Sequence, residues 1–323
     1  MGHIMLETMR EARAALDALT VEQHGVDGRA VYLYGEAWDF GEVACNQRGQ
    51  NASQLNISGT GIGAVLPTPT PLAKARGPAA GTRHARRSKR RSGTPALKRH
   101  VASTMCYQGI PLQIRCRPPS VPAGAFNDRY RDAALGGSPF GSPTLQGFVT
   151  GLHVDPNPER AAEPAAASLE CLHAYTDWLK LGMAGNLKDF KVTTAEGSTK
   201  AGRELLYGQV PAGYCMQPAE NVPYLGCHDN EALYDIMVLK ANHEGSAAVC
   251  ARLVQVSLGL LAVSQGAAFF HAGDDLLRSK SLDRDSYNSG DWFNKLLWDG
   301  SHNNFGVRPA ALCRGNVGVC ATR

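Results

Sequence analysis

VYLYGEAWDFGE, residues 31–42, is an apolar run that breaks at a glycine into a loop of acids and aromatics. Ala30–Tyr34 is short, β-branched and aromatic enough to form a buried strand, and Glu36 follows its end. The same order of residues recurs twice. In VPYLGCHDNEALYD (222–235) the apolar run 223–226 leads into His228, Asp229, Asn230 and Glu231. In AFFHAGDDLLRSKSLDRDSYNSGDWFN (268–294) a strand over Ala267–His271 leads into Asp274 and Asp275.

The stretches between these strands have helical periodicity. Met5, Met9, Ala12, Leu16 and Leu19 fall on one stripe of a first helix. Further helices are expected around Ala167–Leu181 and Ala248–Ser264. Strands separated by helix-length crossovers imply a parallel sheet and an α/β fold. In a β/α barrel the C-terminal strand ends form one face, so polar groups distant in sequence converge there. Any one of these acids alone reads as a helix cap or a surface charge. Their joint placement beside Trp38, Phe40 and Trp292 points to a sugar site, because carboxylates provide acid–base chemistry and aromatic faces stack on pyranose rings.

The overall charge of +4 hides two unlike compositions. Residues 65–123 hold twelve Lys/Arg, nine Pro and no Asp or Glu. Without those twelve, the 33 basic residues fall to 21 against 29 acidic ones, a net of −8. A segment with so few apolar groups cannot offset the entropy of ordering, so 64–124 is expected to be a disordered basic insertion. RHARRSKRRS within it has the chemistry of a phosphate-binding patch, yet an inert insertion is the simpler reading, and no nucleic acid partner is expected. No apolar run has the length to span a membrane. The first residues lack the plan of a secretory signal. The nine cysteines form no CxxC pair and read as mostly reduced core residues. Gly59, Gly61 and Ala64 match a dinucleotide pattern without the strand it requires. His3, His24 and His271 lack metal-site spacing, so no metal is expected. Asn51 and Asn56 open glycosylation sequons to which no role is assigned.

YLYGEAWDFGEVACNQRGQNASQLN, FNDRYRDAALGGSPFG, AGNLKDF, HDNEALYDI and LLRSKSLDRDSYNSGDWFN resemble pullulanases and limit dextrinases, the starch-debranching enzymes of glycoside hydrolase family 13. The resemblance covers residues 1–63 and 125–306. It implies a partial (β/α)8 TIM barrel, roughly strands 5 to 8, and retaining hydrolysis of α-1,6 branch points in pullulan, amylopectin and limit dextrins. By resemblance Glu36 is the general acid/base, which must stay protonated until the bond breaks. Asp229 is the carboxylate that supports the oxocarbenium-like state, and His228 bonds the sugar in the cleavage subsite. Trp38, Phe40 and Phe140 line the cleft; Asn230, Arg284 and Asp291 are subsite residues. The implied partner is a branched α-glucan. No cofactor is implied, although calcium occurs in the family. A plastid location follows from likeness to plant and algal members.

The departures carry expectations of their own. The family's nucleophile is an Asp in a strand ending GFRFDLMGH, and this chain opens Met1-Gly2-His3, so that Asp would stand two residues before Met1. Removing 64–124 would join GTGIG to AFNDR, as the family reads. The match fades near Val307, leaving 307–323 as a divergent tail. A debranching enzyme with truncated ends and an unspliced intron within it is therefore expected; the alternative is an inactive glucan-binding or regulatory fragment.

Overall fold

The computed structural model describes residues 1–60, 123–242 and 246–306. The expected disorder of the basic insertion and the divergent tail 307–323 lie outside the described residues, apart from Ala123 and Gly124. Those two depart from the expected boundary: Ala123 is buried and Gly124 opens a strand.

Along the chain come α1 (Leu6–Asp17), α2 (Val21–His24), β1 (Tyr34–Gly35), α3 (Gln54–Ile57), β2 (Gly124–Phe126) and α4 (Asp128–Leu135). Then follow α5 (Pro158–Ala161), α6 (Ala165–Met183) and two small hairpins, β3 (Lys191–Thr193) with β4 (Thr199–Ala201), and β5 (Leu206–Tyr207) with β6 (Val210–Pro211). β7 (Asn221–Val222), α7 (Leu233–Lys240), α8 (Ala247–Ala262) and α9 (Asp291–Asn294) complete the order.

β1, β2 and β7 form a parallel sheet in sequence order, with Tyr34 opposite Gly124 and Ala125 opposite Asn221. A parallel bridge from Tyr224 to Phe269 adds a fourth line of chain beyond β7. Four successive segments thus run the same way, joined by long crossovers, as the alternation of strand and helix signals implies.

The strands are shorter than the sequence suggests. Only Tyr34 of the run Ala30–Tyr34 is strand, because Gly28–Ala30 turns as a 3-10 helix whose start is capped by Asp27, its carboxylate accepting from Arg29 N at 3.1 Å. The expected strand Ala267–His271 reduces to the Phe269 bridge. Ala267 N and Phe269 N donate to the carbonyls of Asn221 (2.9 Å) and Pro223 (3.0 Å), after which the chain turns at His271. The helices over 165–183 and 247–262 agree with the sequence to within about two residues.

The expected stripe on α1 holds in part, with Met9 buried and Leu16 and Leu19 half-buried, and departs elsewhere. Met5 is exposed and Ala12 faces solvent, whereas Leu6, Met9 and Arg13 are the buried positions. Apolarity alone cannot reveal a buried arginine. Arg13 sends its guanidinium to the carbonyls of Val31 (2.7 Å) and Gly28 and pairs with Asp17 at 2.8 Å. This anchors α1 on the segment that leads into β1.

Two apolar clusters flank the sheet. On one side α4, α6, α7 and α8 enclose Tyr130, Leu152, Leu179, Leu225, Met237 and Val254. On the other, Leu6 and Met9 of α1 meet Ala37, Ile57, Ala125 and Tyr214. Asn127 caps α4 through Tyr130 N and donates to the Asn221 side chain (2.9 Å), so the helix start is joined to β7. Buried Glu220, just before β7, accepts from Ser58 Oγ (2.9 Å), Gly59 N (2.6 Å) and Met216 N (2.5 Å). These bonds bring the end of the first described segment to the sheet. Of the described cysteines, Cys215 and Cys250 are buried, Cys171 and Cys227 half-buried and Cys45 exposed, all as free thiols.

Candidate active site

β1 ends at Gly35 and the Tyr224 bridge lies just before Gly226, so the loops after both leave the same side of the sheet. Glu36 is one residue beyond β1. Gly2 N donates to its carbonyl at 3.0 Å, holding the backbone of the first residues against this loop. His228 Nε2 lies 3.7 Å from Glu36 Oε1 and 3.3 Å from Asp229 Oδ1. Residues nearly two hundred positions apart thus share one small, open site. All three remain accessible, with side chains 43% (Glu36), 71% (His228) and 38% (Asp229) exposed.

An imidazole between two carboxylates can donate to either, and to a hydroxyl brought between them. The three ligand-capable atoms lie within 4.8 Å of one another, which is also a possible grip for a metal ion. A donor set with an imidazole suits a transition cation better than calcium, which prefers oxygen ligands alone.

The loop carrying His228 and Asp229 is held from beneath. Asn230 adopts a left-handed backbone, φ 57°. Lys280, 1% exposed, donates through Nζ to the carbonyls of His228 (2.7 Å) and Asn230 (3.1 Å). Asp235, in the first turn of α7 and fully buried, accepts from Ser279 Oγ (2.5 Å) and Lys280 N (2.7 Å). Burial pushes the Asp235 carboxyl up while these bonds pull it back, and burial pulls the Lys280 ammonium down. Cys227 Sγ contacts the Asp229 carbonyl at 3.9 Å, and burial pushes this thiol up to about 11. Neither Lys280 nor Asp235 was among the sequence candidates. RSKS reads as a solvated basic loop, and the one clue was a lysine bracketed by small serines.

The remaining candidates divide into two groups. Arg284 reaches Glu231 Oε1 at 3.5 Å and donates to the carbonyls of Pro139 and Gly141. It therefore ties the loop after Asn230 to the turn that presents Phe140, which is 95% exposed. Trp38 is half-buried two residues after Glu36. The other group is defined by its local contacts. Phe40, though exposed, packs edge-on against His3 at 4.5 Å. Asp291 opens α9, exposed, with its carbonyl accepting from Lys295 N. Trp292 packs on Phe293. Asp274 is buried beside His271 (3.7 Å) and so does not present a carboxylate at the surface, in contrast to the expectation from its place after a strand. A Cβ on Gly226 would stand 3.0 Å from Asp274 Oδ2, so this carboxylate packs beneath the strand end.

No family model matches the chain. Individual proteins do. It is 42% identical over 308 residues to pullulanase 1, chloroplastic, of Arabidopsis thaliana, an alignment covering 95% of this chain and 26% of that protein. It is 33% identical over 281 residues to the pullulanase of Klebsiella pneumoniae, covering 86% of this chain and 19% of that one. The backbone superposes on a crystal structure of the maltotriose complex of PulA from Klebsiella pneumoniae with a TM-score of 0.67 and 30% identity, over 94% of this chain and 25% of that one. The chain spans a fifth to a quarter of the length of these relatives. In sequence and in backbone the chain is a homologue of the pullulanases.

Proposed function

We propose that these residues belong to a retaining α-1,6-glucan debranching hydrolase and form about half of its (β/α)8 barrel, roughly strands 5 to 8. The convergence of Glu36, His228 and Asp229 carries this reading. The in-order parallel run of β1, β2, β7 and the Phe269 bridge supports the barrel half.

Glu36 acts as general acid toward the departing glycosidic oxygen, then as base toward the incoming water. Asp229 stays ionised, binds sugar hydroxyls and stabilises positive charge developing at the anomeric carbon. His228, between the two carboxylates, donates to a hydroxyl of the ring being cleaved. Trp38, Phe40 and Phe140 offer faces for neighbouring glucose units, and Asn230, Arg284 and Asp291 bond outer ones. The attacking carboxylate is assigned to none of the described residues; the expectation from the resemblance is an Asp in an Asp-Leu-Met-Gly-His run, and Gly2 lies against Glu36. A plastid location is proposed from likeness to the Arabidopsis protein named chloroplastic.

The test compares two proteins on pullulan. The 323-residue chain alone should release no new reducing ends. The chain extended through an Asp-Leu-Met-Gly-His segment, with the rest of the barrel restored, should release maltotriose. In that protein Glu36→Gln should lower the rate by on the order of 10²–10⁴. A Glu36→Gln rate equal to that of the parent would overturn the assignment, as would maltotriose released at a normal rate by the 323-residue chain.

A further inference from the structure

Lys280 is an unusual component of this site. Its side chain is 1% exposed, yet the bonds of its ammonium go to two backbone carbonyls and not to a carboxylate. Burying a charge is costly, and although Asp229 and Asp235 favour it through space, neither carboxylate bonds the ammonium directly. The two carbonyls belong to His228 and Asn230, on either side of Asp229. A single cation therefore fixes both ends of the peptide that presents the carboxylate.

The lysine is itself held rigidly. Asp235 grips the backbone N of Lys280 and the hydroxyl of Ser279. Ser281 N donates to Ser279 Oγ (2.9 Å), and Ser281 Oγ donates to the Asn304 carbonyl (2.6 Å). Ser281 and Leu282 both take left-handed backbones, φ 53° and 63°, which non-glycine residues adopt only where the surroundings over-determine them. Cation, strained segment and buried acid form one unit beneath the loop.

We propose that Lys280 is a positioning residue: by bridging the carbonyls of His228 and Asn230 it sets His228 and Asp229 against Glu36, with Asp235 and Ser279 fixing the lysine. Its significance for catalysis rests on the glycosidase reading of that trio, whereas the clamp itself can be tested without it.

Cys227 is the local reporter. Its thiol is half-buried beneath the Asp229 carbonyl, so loosening the loop exposes it and returns its ionisation toward the ordinary range. Loss of the lysine's charge alone acts in the opposite sense, because a nearby cation favours the thiolate. The sign of the change therefore separates positioning from simple electrostatics.

The 323-residue chain and its Lys280→Met and Ser279→Ala variants would be treated with iodoacetamide at pH 8, each cysteine being followed by peptide mass spectrometry. The expected result is labelling of Cys227 at least tenfold faster in Lys280→Met than in the parent, and a smaller rise in Ser279→Ala. Cys215 and Cys250, both buried, should stay unchanged. Unchanged or slower labelling of Cys227 overturns the proposal. If all three accelerate together in Lys280→Met, Lys280→Gln is measured. A rise confined to Cys227 then supports the clamp, and a general rise there too overturns it in favour of a purely structural lysine. A parallel titration with maltotriose, in the protein with the rest of the barrel restored, should show binding at least tenfold weaker in Lys280→Met. A parent that binds no maltotriose, with Cys227 behaving as expected, removes the glycosidase reading and leaves the clamp standing. Undiminished maltotriose binding in a variant whose Cys227 is exposed removes the claim that the clamp positions the site.

Discussion

Lys240 shows how far a single side chain can depart from its type. It ends α7, 8% exposed, and its ammonium donates to the Gly136 carbonyl at 2.6 Å. Burial pulls it down to about 8, Glu231 and Asp132 push it up, and Arg131 and Arg284 push it down further. In the unfolded chain it titrates near 10.5. Between about pH 8 and 10.5 the unfolded state therefore binds more protons than the folded one, so this residue's contribution to stability rises with pH across that window. Buried thiols and phenols such as Cys215 and Tyr224, which burial pushes up, act in the opposite sense at the alkaline end. Comparison with Lys240→Met cancels them. The stability of the parent relative to that variant should increase by on the order of 2–3 kcal/mol from pH 7 to pH 10, read by urea denaturation. A difference that stays flat would mean that Lys240 is solvated. Asp132 and the Tyr207 hydroxyl, bonded at 2.5 Å, lie in the same polar region and should be left intact in that comparison.

Among the elements, α1 makes the same point at larger size. Its register is set by Arg13, which bonds Gly28, Val31 and Asp17. Arg13→Ala takes the donor from the Val31 carbonyl and one of two from the Gly28 carbonyl, which keeps Val31 N at 3.2 Å, and should cost about 1–3 kcal/mol, lowering the midpoint of thermal unfolding by several degrees. Arg13→Lys should recover part of that loss, since one ammonium can replace one of the two branches. Unfolding curves unchanged in Arg13→Ala would show that α1 is not docked. The helices that were legible in the sequence, α6 and α8, are long and carry their apolar pattern over four turns or more. The strands were legible as places, since Glu36 and His228–Asn230 do follow strand ends, but their lengths were not. A run such as Ala30–Tyr34 has strand propensity, and Asp27 overrides it by capping a turn. The trio at the site could be read because acids after strand ends are a pattern of residue types. Lys280, Asp235, Arg13 and Glu220 could not be read, because their roles arise from burial, and charged residues are normally taken as surface.

At the scale of the whole molecule, the sheet has two ends. Among the described residues no strand pairs with the outer side of β1 or with the outer side of the Phe269 segment. Unpaired edges recruit other chains, so the 323-residue chain should self-associate, and light scattering should rise with protein concentration. A monodisperse monomer with a sharp thermal transition would count against this. Deleting 64–122 in the restored enzyme should raise activity on pullulan at least tenfold. Those residues, which carry twelve cations, lie in the β1–β2 connection beyond Glu36, close in sequence to the proposed site. Equal activity with and without them would show the segment to be harmless. The parallel sheet has a further consequence, one of timing. Each of its ladders joins segments far apart in the chain: Tyr34 pairs with Gly124, and Ala125 with Asn221. At synthesis rates of about 5–20 residues per second, β1 would wait roughly 5–20 s on the ribosome before its neighbour emerged. Throughout that interval its apolar flank, Leu33 and Tyr34, has no native cover from β2. A chaperone that binds short apolar strands has an opportunity there, and shortening the β1–β2 connection would shorten that exposure in proportion.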